Sequence, residues 1–215
     1  MRAGGANAWR MVEPAETIGR RQRNKLEKRK RISAAARELF HRQGFAETST
    51  AQIAKAAGVA EGTLFLYVGR KEDLLVLAFV DELDEAVRAA FAALDGSAGF
   101  TAHIVGYFCG ILAYHEADMA IAKLFLREVG VLRDPHRDYG FGQIPMMESL
   151  EAIVTRAQQR GEIDPALAAP DLAQLCFALY WGALRDWANE ALTSDEFAVT
   201  LNRMVNLAVR GIAPR

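Results

Sequence analysis

Residues 48–75 read TSTAQIAKAAGVAEGTLFLYVGRKEDLL, and this stretch decides the fold. Thr48-Ser49-Thr50 offers hydroxyls that can cap a helix start, where the first backbone N–H groups have no partner of their own. A short helix over Ala51–Ala57 is expected next, with Ile53, Ala54 and Ala57 on its inward side. Gly58 ends it, because a tight turn needs a residue tolerant of positive φ. A second short helix is expected over about Ala60–Val68, with Leu64 and Val68 one turn apart and facing inward. Gly69 breaks it, and Lys71 opens a longer helix reaching about Leu94. Two short helices about a glycine turn form the helix-turn-helix pattern. Its second helix enters a major groove about 12 Å wide, so its outward residues must be small or polar. The tip Ala60-Glu61-Gly62-Thr63 meets that demand, and the Ser49–Thr50 helix start presents backbone amides to a phosphate.

Upstream, Ile32, Ala35, Ala36, Leu39 and Phe40 recur at three- and four-residue steps. They predict a helix that starts near Asn24, with Asn24 and Glu27 as a capping box, and stops at Gly44. Residues 1–22 read as a flexible basic arm. Residues 1–75 carry 15 Lys/Arg against 8 Asp/Glu, whereas the remaining 140 carry 11 against 19. A basic front on an acidic body suggests a segment that faces an anion. Arg20, Arg21, Arg23, Lys25, Lys28, Arg29, Lys30 and Arg31 either follow a nucleic-acid backbone or its minor groove, or form a solubilising tail.

Downstream, Asp95–Gly99 reads as a linker. Helical spacing of apolar residues follows over 100–115, 119–131, 144–159, 171–191 and 195–212, with breaks at Asp134-Pro135, Gly140/Gly142, Gly161 with Pro165, and Thr193-Ser194. The expected fold is all-α with about nine helices: a helix-turn-helix domain over 23–70 and a helical ligand-sensing and dimerisation domain over 71–215. No apolar run is long enough to span a membrane and no secretory signal is visible, so the expected compartment is the cytoplasm. Cys109 and Cys176 are expected as buried thiols, with a redox sensor as the alternative. No G-x-S-x-G, P-loop or G-x-G-x-x-G is present, so no catalytic residue, cofactor or metal site is expected. His115 and Glu116 imitate a metal cluster but fall on different helix faces.

The run from Ile32 to about Leu77 closely resembles the signature of the TetR family. It carries the I-A-x-x-A-G-V turn, the T-L-aromatic segment and the K-E-D-L start of the fourth helix. The resemblance implies a dimeric DNA-binding regulator with a variable C-terminal ligand-binding core. It implies a phosphate contact for Lys71 and base-proximal positions for Gly62 and Thr63. Phe65 stands where the family usually has a phosphate-binding Tyr and lacks the hydroxyl; Tyr67 can take over that contact. Ala51 removes a guanine-reading Arg found in some members. Glu61 repels phosphates but accepts from a cytosine N4 donor.

The family pattern puts the last two helices in a dimer interface, with Leu172, Leu175, Leu179, Leu201, Met204 and Val205 as candidates. Tyr107, Phe108, Ile111, Phe125, Met147, Phe177 and Trp181 are candidates for a pocket suited to a hydrophobic small molecule. The expected activity is repression at a palindromic operator, relieved by that effector. The alternatives are an architectural DNA-binding dimer without effector and, more remotely, a helical enzyme.

Overall fold

The computed structural model describes residues 20–131 and 143–212. Residues 1–19 of the expected arm and the breaks at Asp134-Pro135 and Gly140/Gly142 lie outside the described residues, as do the side chains of Arg20 and Arg21. Among the described residues the chain is all-helical: α1 (Arg20–Glu47), α2 (Thr50–Ala56), α3 (Glu61–Leu64), α4 (Lys71–Ala92), α5 (Phe100–Ala117), α6 (Met119–Val131), α7 (Gln143–Gln159), α8 (Ala169–Ala188) and α9 (Ser194–Ile212). No described helix is long and apolar enough to cross a membrane.

Helix α1 begins at Arg20, so Asn24 and Glu27 lie inside it and do not form its start. The run Arg20–Arg31 is rich in good helix formers, which carries the helix upstream of the expected cap. Gly44, at φ 81°, breaks the helical path within α1. Thr48 is buried there and donates its hydroxyl to the Gly44 carbonyl at 2.7 Å.

Helix α4 is the spine. Its residues from Asp73 to Val80 are all buried, because helices pack on it from several sides. Ile32, Ala36, Leu39 and Phe40 of α1 join its first half in one core, and Ser33 Oγ donates to Leu77 O at 2.8 Å. Farther along, α5 crosses so closely that a Cβ on Gly110 would stand 2.8 Å from Ala90 Cβ. Only glycine permits that approach.

Phe108 of α5 stacks on Tyr180 of α8 at 4.1 Å, and Tyr180 meets Phe197 of α9 edge-on at 6.3 Å. Burying one such ring contributes about 1.5–3 kcal/mol. This packing places two sets of expected residues in the core. Leu172, Leu201 and Val205 sit in the chain's own core at 6, 0 and 1% exposure, so they are not available to a second subunit. Tyr107, Phe108 and Ile111 are wholly buried in the same core and do not line the cavity described below. Helical periodicity marks a face as apolar but does not say which neighbour covers it.

Candidate nucleic-acid interface and effector cavity

Each end of α2 is closed by bonds its sequence supplies. Ser49 Oγ accepts from Gln52 N at 3.2 Å, and Gln52 Oε1 accepts from Ser49 N at 2.8 Å, a reciprocal cap. At the other end Gly58 takes φ 64°, and Val59 N donates to Ala54 O at 3.0 Å. This left-handed C-cap turns the chain sharply into α3.

Helix α3 is shorter than the sequence suggests. Regular helix ends at Leu64, after which Leu66 N donates to Thr63 O and Tyr67 N to Leu64 O, tightening the remainder into three-residue turns. Ala60 offers no side-chain cap, so the start of α3 is unreinforced. Leu64 and Val68 are buried as expected and anchor the element.

The sequence-derived candidates all reach the surface. Ser49, Glu61, Gly62 and Phe65 are exposed; Thr50, Thr63, Tyr67 and Lys71 are half-buried. Thr50 Oγ1 donates to Glu61 Oε1 at 2.7 Å, which ties the starts of α2 and α3 together and occupies one carboxylate oxygen. Lys71 Nζ donates to Ala46 O at 3.1 Å and stands 4.4 Å from the Phe45 ring centroid, so its ammonium sits at the α1–α2 corner. On α1, Lys28 is exposed and Arg29 half-buried. Sequence reasoning missed Leu66, which is 81% exposed beside Phe65. The available signal was a leucine midway between the inward pair Leu64 and Val68, on the opposite side of the turn.

It also missed a junction between this head and the rest. Asp73 is buried and accepts from Gly69 N at 2.7 Å and Arg70 N at 3.1 Å, fixing the turn between α3 and α4. Arg70 Nη2 donates to Glu128 Oε2 of α6 at 2.9 Å, and Arg127 flanks the same carboxylate at 3.2 Å. Glu128 is 7% exposed. Nothing in the sequence pairs Arg70 with a residue 58 positions away.

Helix α6 also forms one wall of a cavity of about 570 Å³ between α1, α4, α5 and α6. Ile121, Ala122 and Phe125 line it from α6, Phe79, Glu82, Ala86 and Ala89 from α4, and Tyr114, His115 and Asp118 from the end of α5. Of the seven expected pocket residues only Phe125 lies there. Phe177 and Trp181 are instead half-buried and stacked on one another at 6.2 Å along α8, and Met147 packs on the edge of the core. Tyr114 donates to Glu82 Oε2 at 3.5 Å. Burial, the Glu82 carboxylate and its hydrogen bond push the Tyr114 hydroxyl well above its usual range. Burial pushes the His115 imidazole down to about 4. Glu116, next in sequence, turns away and accepts from the Ser194 hydroxyl, which separates it from His115. Cys176 is buried, and burial raises its thiol to about 12, which keeps it protonated and unreactive; the half-buried Cys109 thiol is also raised by burial.

Residues 32–78 match the family described as bacterial regulatory proteins, tetR family. The chain is 26% identical over 198 residues to the fatty acid metabolism regulator protein of Bacillus subtilis (strain 168), covering 88% of this chain and 98% of that protein. It is 26% identical over 189 residues to the HTH-type transcriptional regulator UidR of Escherichia coli (strain K12), covering 82% and 90%. Among solved structures, FadR of Thermus thermophilus, a TetR family transcriptional repressor in complex with lauroyl-CoA, superposes with a TM-score of 0.65 at 26% identity, covering 87% and 96%.

Proposed function

We propose that this chain, a transcriptional regulator of the TetR family, is a homodimeric repressor that holds a palindromic operator and leaves it when a hydrophobic small molecule enters the α4–α5–α6 cavity. The carrying observation is the Arg70–Glu128 junction, which joins the last turn of the DNA reader to the helix that walls the cavity. In this reading the reader ends at residue 70 and the body begins at 71.

Gly62 and Thr63 lie next to base edges, with Phe65 and Leu66 as apolar neighbours suited to a thymine methyl. Ser49 and Thr50 at the α2 start, Tyr67, Lys71, Lys28 and Arg29 position the phosphate backbone, and carry no sequence information of their own. Glu61, held by Thr50, orders the tip and accepts from a cytosine N4. Lys71 keeps its place through Ala46 O and Phe45, so it reaches a phosphate without a large loss of rotamer freedom.

The dimer uses the apolar surface that α8 and α9 leave uncovered. Leu175 is 37%, Val199 68% and Leu207 59% exposed, and half-buried Leu179 and Met204 continue that surface. A twofold axis there sets the two readers about 34–36 Å apart, one helical turn of DNA. An occupant of the cavity displaces α6, Glu128 releases or drags Arg70, and α3 leaves its groove. Such a switch requires a few kcal/mol of preference for the released state. The lauroyl-CoA complex of the similar Thermus protein supports a hydrophobic effector class.

The test is selection of bound sequences from random duplexes by the full-length protein. A palindrome with half-sites about ten base pairs apart is expected. Thr63→Ala should relax preference within a half-site, and Lys71→Ala should weaken all sequences alike. Recovery of no shared sequence overturns the operator reading. Glu128→Gln should leave selection intact while blunting effector release; an unaltered response removes α6 from the relay.

A further inference from the structure

The cavity has an apolar wall, Phe79, Ile121, Ala122 and Phe125, and an acidic one, Glu82, Glu85 and Asp118. Against these three carboxylates stand the Arg37 guanidinium, 3.3 Å from Glu82, and the His41 imidazole, 3.6 Å from Asp118. Glu82 and Asp118 are thus paired within the chain, but three carboxylates against one guanidinium and one imidazole leave the cavity edge with a net negative charge, which draws a cation.

A second observation is independent of that acidity. His115 lines the cavity at 2% exposure and forms no hydrogen bond or ion pair among the described residues. Among the described residues the rings of Tyr114, Phe125 and Trp187 stand near it, at 5.3, 6.5 and 6.4 Å. Burial keeps it neutral near pH 7, with one N–H to donate and one nitrogen to accept. Buried polar groups are normally satisfied, so an unpaired imidazole on a cavity wall marks the place of a ligand group.

We propose that this cavity takes an organic cation: an apolar or aromatic body between Phe79 and Phe125, a positively charged nitrogen at Glu82 and Asp118, and a hydrogen-bonding group at His115. The inference rests on the reading of this cavity as the effector site. The Phe79, Tyr114 and Phe125 faces add cation–π attraction to the carboxylates. The phosphates of an acyl-CoA would meet the same carboxylates with the wrong sign, so the effector class differs from the lauroyl-CoA of the similar Thermus protein.

The experiment is a fluorescence titration of the full-length protein with rhodamine 6G, a hydrophobic cation, and Nile red, a neutral counterpart, followed by competition with lauroyl-CoA. The variant is Glu82→Gln with Asp118→Asn, which keeps an acceptor for Tyr114 and a cap for α6. Rhodamine 6G should bind, lose about tenfold or more in affinity in the variant, and resist lauroyl-CoA, while Nile red affinity stays within about twofold. Equal losses for both dyes, no loss for either, or displacement by lauroyl-CoA would overturn the proposal. If the double variant melts far below the parent, Glu85→Gln on the exposed rim serves instead, with about a threefold loss expected for the cation alone. Operator binding is measured in parallel without dye. Cation binding without operator binding would defeat the regulator reading alone, whereas operator binding that rhodamine 6G leaves untouched would defeat the cation class alone.

Discussion

The head of the molecule and its body hold their shapes by different kinds of contact. In the head the turns close over short distances: Ser49 with Gln52, Val59 with Ala54, Thr50 with Glu61. In the body the deciding contacts join distant segments, Ala90 with Gly110 and Phe108 with Tyr180, and so do those that tie the head to it, Arg37 with Glu82 and Arg70 with Glu128. The head therefore behaves as a motif whose chemistry is written locally. The body is a set of amphipathic helices whose partners are chosen by packing.

Four experiments break or sharpen that contrast. The largest effect should come from Leu201→Asp, which places an unpaired charge at a position with 0% exposure and should cost about 4–5 kcal/mol or more. Val199→Asp with Leu207→Asp, on the exposed side of the same helix, should leave the melting temperature of the subunit fold in place and yield monomers in sedimentation. Equal damage from both would mean that α9 has no separate inner and outer faces.

Next is the acid response of His115. Its folded value of about 4 lies below the ordinary 6.5, so its neutral form is favoured on folding and the unfolded chain binds the extra proton. The stability this holds is full above about pH 6.5 and is lost as pH falls towards 4, by about 3 kcal/mol in all. Denaturant titrations should show wild type losing this much more than His115→Phe between pH 7 and 4. Parallel curves for the two proteins would place the imidazole in contact with water or a partner.

Gly110→Ala tests the body's close crossing. The added methyl would stand 2.8 Å from Ala90 Cβ and 3.3 Å from Ala90 Cα, so α4 and α5 must part, at about 1–3 kcal/mol. Adding Ala90→Gly should restore most of the loss; no restoration would place the strain elsewhere. Smallest is Ser49→Ala in the head, about 1 kcal/mol from a lost cap. Its effect should be confined to α2 and α3 in amide exchange, and a change reaching α8 would contradict the local character of the head.

The same contrast explains what the sequence disclosed. Helix order, the Gly58 turn and the inward pair Leu64 and Val68 were legible because each follows from residues within a few positions. The start of α1 was misread because Asn24 and Glu27 have cap spacing, yet the good helix formers around them continue the helix. For Tyr107 and Phe108 the sequence does not separate pocket from core, because an aromatic stripe announces bulk and not vacancy; Tyr180 stacks on Phe108. Leu201 was read as interface because α9 is apolar on its inner face and carries Val199 and Leu207 on its outer one. The cavity itself was illegible, since its lining comes from four helices and only Phe125 among the expected pocket residues belongs to it.

The most direct test of the account is a salt series of full-length protein on the DNA upstream of its own coding region and on random duplex. The account predicts preferential binding to the upstream DNA, with log affinity falling against log salt by about 0.9 per phosphate neutralised on both. Equal affinity for the two duplexes across the series, or no binding at low salt, would contradict it.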